Sequence, residues 1–143
     1  MNNGRISENF RFAEFEASDM AARYRIINVI TDWGVRDNII ALVREVLQPL
    51  RDAWGKPLVI NSGYRCPKLN KAVGGVAESQ HVKGEAADVA CDNPQELARL
   101  VVRLGLDFDQ MIVYPTFVHI SHTEERANRR QILYSHDYKG EEV

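Results

Sequence analysis

Cysteine is scarce: Cys66 and Cys91 are the only two in 143 residues. That is too few for the disulfide framework by which small secreted scaffolds staple themselves, so both read as reduced thiols, and neither is needed as a metal ligand. An excess of charge of one sign is missing as well. The net charge is -2 with 27% charged residues, and no like-charged block exceeds Glu141-Glu142. This excludes the basic field that nucleic-acid binders display, and no nucleic-acid partner is expected. Long apolar runs are absent too. No stretch of about 18 apolar residues offers membrane insertion, and Met1-Asn2-Asn3-Gly4-Arg5 opens onto polar sequence rather than the roughly 7–15-residue apolar core of an export signal. The expectation is a chain made in the cytoplasm without a signal of its own. No Ser/Gly-rich linker and no repeat divides it, so a single domain over residues 1–143 is expected, with its oligomeric state left open.

Within that domain, residues 1–35 read as a packing arm, with Phe10, Phe12 and Phe15 as aromatic anchors and Ser18-Asp19 as the cap of a short helix. The core is assigned to residues 36–135. Between Arg36 and Trp54, apolar Ile39, Ile40, Val43, Val46, Leu47, Leu50 and Trp54 recur at helical spacing, with Pro49 as a kink or boundary. A short strand at Leu58-Val59-Ile60 follows. From Asn61 to Gly84 the density of Gly, Pro, Asn, Ser and Lys predicts a long, mostly irregular loop, and such loops in compact domains are usually functional. Glu85 to Cys91 predicts a strand with Ala86 and Asp88 on one face and Ala87 and Val89 on the other. Asn93-Pro94-Gln95-Glu96 starts a helix, with Asn93 as cap and Glu96 reaching back to it, and Gly105 ends it. Gln110–Val113 and Phe117–Ser121 predict two more strands, Gln131–Tyr134 an edge strand, and residues 136–143 a fraying tail. Strands and helices do not alternate regularly, which predicts an α+β fold with a small, largely antiparallel sheet and flanking helices.

The residues richest in chemistry are His81, Asp88 and His119. Three N/O ligands with a fourth position left to water is the ligand count of a catalytic zinc, whereas structural zinc sites are closed by four protein ligands and lean on cysteine. Strand alternation turns Phe117, His119 and Ser121 to one side and Val118, Ile120 and His122 to the other, so His119 is the candidate and His122 is not. His81 reaches the same side if the chain reverses at Gly84. On spacing alone the plain alternative, an exposed loop His81, a capping Asp88 and a packed His119, carries more weight.

Several ordered motifs change that balance. Ser62-Gly63-Tyr64-Arg65, Leu69-Asn70 with Val73-Gly74-Gly75, Ser79-Gln80-His81-Val82-Lys83-Gly84-Glu85-Ala86-Ala87-Asp88 and Phe117-Val118-His119-Ile120-Ser121 together resemble the zinc D-Ala-D-Ala carboxypeptidase family, peptidase family M15. The similarity is closest to its short single-domain phage and bacterial members. Asn9-Phe10, Glu14-Phe15 and Ser18, and later Phe108-Asp109-Gln110, extend it over nearly the whole chain. The resemblance implies Zn2+ bound by His81, Asp88 and His119 with water as fourth ligand, and a fold shared with the hedgehog signalling domain. It implies that Arg65 holds a substrate carbonyl or developing oxyanion, as a permanently charged guanidinium can. The implied substrates are peptidoglycan stem or cross-bridge peptides, and without an export signal such an enzyme would reach the wall through a lysis partner or carried in a virion. Ser79 reads as a loop hydrogen-bonding residue rather than a nucleophile.

One position departs from the family. Many relatives place a Glu or Asp three residues before the last histidine ligand, as a general base; here that residue is Thr116. Asp109 is the first substitute and Glu85 the second, with a turn-capping role for Asp109 as its rival. Tyr114 can donate a proton or orient substrate, but is a poor base. Thr116 also keeps alive the alternative of a zinc-containing binding module that has lost catalysis.

Overall fold

The computed structural model describes residues 4–143. Five strands form one sheet in the order β1 (Val59–Ser62), β2 (Ala86–Ala90), β4 (Phe117–Ser121), β3 (Gln110–Val113), β5 (Gln131–Tyr134). Every pairing is antiparallel except β3 with β5, so the fold is α+β with a largely antiparallel sheet. Ala87, Val89, Val118, Ile120, Met111 and Val113 are at most 1% exposed and form the core face of the sheet. The helices α3 (Trp33–Leu42), α4 (Gln48–Trp54) and α7 (Pro94–Arg103) supply Ile39, Leu42, Leu50, Leu97 and Val101 to the same core. Phe10, Phe12 and Phe15, the last two on α1 (Phe12–Glu16), are buried in it as well. No helix among the described residues is long and apolar enough to cross a membrane.

The main helix starts earlier than its apolar spacing predicts. Asp32 accepts a hydrogen bond from the Val35 amide at 3.0 Å and so caps it at Trp33. Pro49 sets a boundary within it rather than ending the helical run. Over Val43–Leu47 the backbone widens to a π turn, in which the Gln48 amide bonds the Val43 carbonyl, and Pro49 then falls in the first turn of α4. The wider turn absorbs the ring and the missing N–H that would break an ordinary α-helical ladder.

The segment 61–84 is more regular than its composition predicts. It contains the end of β1 and two short helices, α5 (Pro67–Ala72) and α6 (Gln80–Lys83). The polar and Pro residues counted as breakers act here as helix starts: Pro67 has its fixed φ in the first turn of α5, and Ser79 Oγ caps α6. His81 is therefore helical, not in a loop. At the start of α7, Asn93 caps by accepting from the Glu96 amide at 3.2 Å, but the Glu96 carboxylate turns outward to Arg99 at 2.8 Å instead of reaching back. The carboxy-terminal residues lie against α7 and β5 rather than fraying. Tyr138 Oη donates to Gln95 at 2.9 Å, and the Val143 amide donates to Tyr134 Oη at 2.8 Å.

Candidate metal centre

β2 and β4 pair with Asp88 directly opposite His119. Cross-strand neighbours on one face of an antiparallel pair stand side by side, and His119 Nδ1 lies 2.8 Å from Asp88 Oδ1. His81 joins them from α6. After that helix Gly84 takes φ +76°, and a Cβ there would stand 2.7 Å from the Val35 carbonyl, so only glycine lets the chain turn back into β2 this close to α3. The turn leaves His81 Nε2 3.4 Å from Asp88 Oδ1 and the two imidazole rings 5.1 Å apart. One ligand atom from each residue lies within 4.8 Å of the others.

A tetrahedral ion with bonds of about 2.0–2.1 Å holds its ligand atoms roughly 3.3 Å apart. The His81–Asp88 spacing already fits, and the shorter His119–Asp88 contact is the hydrogen bond those two make with each other. The donor set, two imidazoles and one carboxylate on a partly buried floor, suits zinc. Burial by itself would raise the Asp88 pKa, but the His119 hydrogen bond and the adjacent His81 imidazole outweigh it and hold the carboxyl well below the usual carboxylate range. Asp88 is thus ionised, as a ligand must be.

A second ring of contacts fixes the His81 helix. Its Nδ1 lies 2.7 Å from the Gly63 carbonyl, which leaves Nε2 to the metal side, and its carbonyl accepts from the Arg65 amide at 3.1 Å. Asn28 clamps the same loop from the amino-terminal arm. Its amide donates to the Glu16 and Tyr64 carbonyls at 3.0 and 2.8 Å and accepts from the Cys66 amide at 2.8 Å. Sequence reasoning missed Asn28, because nothing local distinguishes one buried asparagine of a long arm.

Arg65 reaches toward the ligands from the β1–α5 connection, with Nη2 3.9 Å from Asp88 Oδ2. Its Nε is 3.3 Å from Ser62 Oγ and its Nη1 is 3.3 Å from Asn70 Oδ1. Asn70 is itself buried and donates to the Val76 carbonyl at 2.8 Å. A Cβ on Gly75 would collide with the Asn70 amide group and press on Arg65 Nη1. The Asn70 and Gly75 positions thus act together to aim Arg65.

Asp109 is not brought to the ligands' open side. Its side chain is 0% exposed, and it accepts from Arg126 Nη1 and Nη2, Arg129 Nε, Nη2 and backbone N–H, and Gln80 Nε2, all between 2.7 and 3.1 Å. Burial would raise its pKa, but the two guanidiniums prevail and hold the carboxyl far below its ordinary range. A carboxylate with every lone pair engaged and so little proton affinity cannot take a proton from water near neutral pH, which argues against the general-base role considered for it. The turn-capping alternative understates what it does: it gathers the β4–β5 connection, the start of β3 and α6. Glu85 lines the same cleft as His119, beside Gln80. His122 is buried away from the trio, its Nδ1 2.6 Å from the Asp107 carbonyl and its Nε2 2.9 Å from Glu124. Ser79 Oγ accepts from the His81 amide at 3.2 Å, a helix cap. Thr116 is exposed in the β3–β4 turn, where Tyr114 stacks on Phe117 at 4.1 Å. Burial and the nearby Asp88 charge raise the Tyr114 pKa, with Arg65 opposing, so its hydroxyl stays protonated beside the site.

The three residues form a candidate metal centre open to a further ligand, and comparison with known proteins gives it a context. The chain belongs to the Peptidase M15 family, whose model matches residues 9–121. It is also similar to the zinc D-Ala-D-Ala carboxypeptidase of Streptomyces albus G, with 46% identity over 44 residues. That match covers 30% of this chain and 17% of the relative's length.

Proposed function

We propose that this protein is a zinc-dependent peptidase that hydrolyses peptidoglycan stem or cross-bridge peptides. The observation that carries the reading is the convergence of His81, Asp88 and His119 with Arg65 held 3.9 Å from Asp88, because a purely structural site has no use for an aimed guanidinium. Bound zinc supplies an acidified water and an electrophile for the peptide carbonyl. The protein's own residues do the rest. Asp88 keeps its negative charge and fixes the tilt of both imidazoles. Gly63 holds the His81 tautomer. Arg65, steadied by Ser62 and Asn70, donates to the oxygen on which negative charge develops. Tyr114, kept protonated, would deliver a proton to the departing amine, with solvent taking the proton of the attacking water and reprotonating the phenolate. The family and the relative's name support a cell-wall peptide as substrate, and access to the wall through a lysis partner or a virion is part of the same proposal.

Digestion of purified peptidoglycan by zinc-loaded protein, with fragments resolved by mass, tests the proposal and identifies the bond. Loss of one terminal D-Ala defines a carboxypeptidase, and release of cross-linked or stem fragments an endopeptidase. Tight zinc binding with no bond cut across several wall chemotypes would replace this reading by the binding-module alternative, with Thr116 marking the lost base.

A further inference from the structure

Beside His119 a cleft of about 380 Å³ runs between α6 and the β4–β5 connection, with Gln80, Lys83, Glu85, Arg126 and Arg129 in its wall. Arg65 opens instead on a separate hollow with Asn61 and Ser62. Two parts of the cleft wall are chemically unfinished. Arg126 and Arg129 share one carboxylate, Asp109, so one positive charge is left over after the pairing. Among the described residues, Arg126 Nε and Arg129 Nη1 have no acceptor, and both side chains are 49% exposed. Glu85 is the converse. It is 2% exposed, its Oε1 has only Gln80 Nε2 at 3.4 Å, and its Oε2 is buried with no partner. Gln80 spends its other N–H on Asp109, at 3.1 Å, and so gives Glu85 only this one long contact. A buried carboxylate oxygen without a donor is costly unless something else supplies one.

The wall therefore offers an anion short of donors next to cations with donors to spare. Its lining carries both signs, Lys83 and the guanidinium charge left over from Asp109 together with Glu78, Glu85 and Glu125, so a dipolar ligand gains at both ends. We propose that this cleft is a subsite for an amino-acid head group, a carbon bearing both an ammonium and a carboxylate, carried at the end of a substrate side chain. The ammonium donates to Glu85, and the carboxylate accepts from Arg126 and Arg129, whose fork geometry suits it. Because the cleft abuts His119, the head group anchors the substrate next to the bond to be cut. This inference deepens the peptidase reading and rests on it.

The test is calorimetric binding of three peptides, L-Ala-γ-D-Glu-X, to zinc-loaded protein. X is meso-diaminopimelate (ammonium and carboxylate), L-lysine (ammonium alone) or 2-aminopimelate (carboxylate alone). The meso-diaminopimelate peptide should bind about tenfold or more tightly than either of the others, the worth of one charge-assisted contact. In Glu85→Gln that preference over the 2-aminopimelate peptide should vanish. Equal binding of all three peptides, which needs no variant to read, overturns the proposal, as does an undiminished preference in folded Glu85→Gln. If the preference is present but peptidoglycan is not cut, the subsite stands and the peptidase reading falls. If walls are cut while the three peptides bind alike, the peptidase stands and the subsite falls.

Discussion

Replacing Asp109 by asparagine removes the single anion from a hub of two guanidiniums, one backbone amide and one glutamine amide. Breaking a buried charge pair from one side costs about 3–5 kcal/mol when the partner stays buried. Here Arg126 and Arg129 are half exposed and regain water, so the loss should fall to about 2–3 kcal/mol. At roughly 3 °C per kcal/mol for a chain of this size, Tm should drop by about 6–9 °C. The pH dependence has a definite sign. Asp109 has a depressed carboxyl pKa in the folded state, so its contribution is complete above the unfolded value of about 3.9 and is lost as pH falls toward the folded value. The wild-type and Asp109→Asn melting temperatures should differ by a constant amount from pH 5 to 8 and converge below about pH 4. Calorimetric melts across that range are the assay. An unchanged Tm accompanied by abolished hydrolysis would refute the reasoning and restore Asp109 as the general base.

Asn28→Ala removes three hydrogen bonds that tie the amino-terminal arm to the Arg65 loop; leaving those backbone groups unpaired should cost about 1–3 kcal/mol, read as a Tm lower by about 3–9 °C. Gly75→Ala should push Asn70 and Arg65 out of line, lowering kcat/KM about 10- to 100-fold while zinc stoichiometry stays at one. Tyr114→Phe removes the hydroxyl and keeps the stack on Phe117, so kcat should fall about tenfold or more with KM little changed, measured on a soluble stem peptide. Asp88→Asn should weaken zinc by at least about 100-fold in competition with a chromophoric chelator, since the neutral amide is a poor ligand.

Much of the sheet was legible because its strands obey a two-residue period: β3, β4 and β5 begin and end where alternation predicts. The same period separates His119 from His122. The loop 61–84 was misjudged because proline and serine are ambiguous. They interrupt a helix interior yet favour a helix start, and α5 and α6 are too short to show an apolar stripe. Pro49 does mark the start of α4, but the π turn before it is a response of the backbone to its neighbours and leaves no local pattern. The hub around Asp109 was invisible because Gln80, Arg126 and Arg129 lie 29, 17 and 20 residues away, and no periodicity links them. Asp109 looked like a base because its residue type and position fit one, while its saturation by donors depends on partners that only the fold assembles.

The central claim is that His81, Asp88 and His119 hold one zinc ion that hydrolysis requires. Its most direct test is to strip the protein with a chelator and titrate zinc back while following release of fragments from purified peptidoglycan. Activity that returns in proportion to zinc, saturates at one equivalent and never returns in His119→Ala is the predicted result. Hydrolysis that survives complete zinc removal, or that His119→Ala retains, would contradict it.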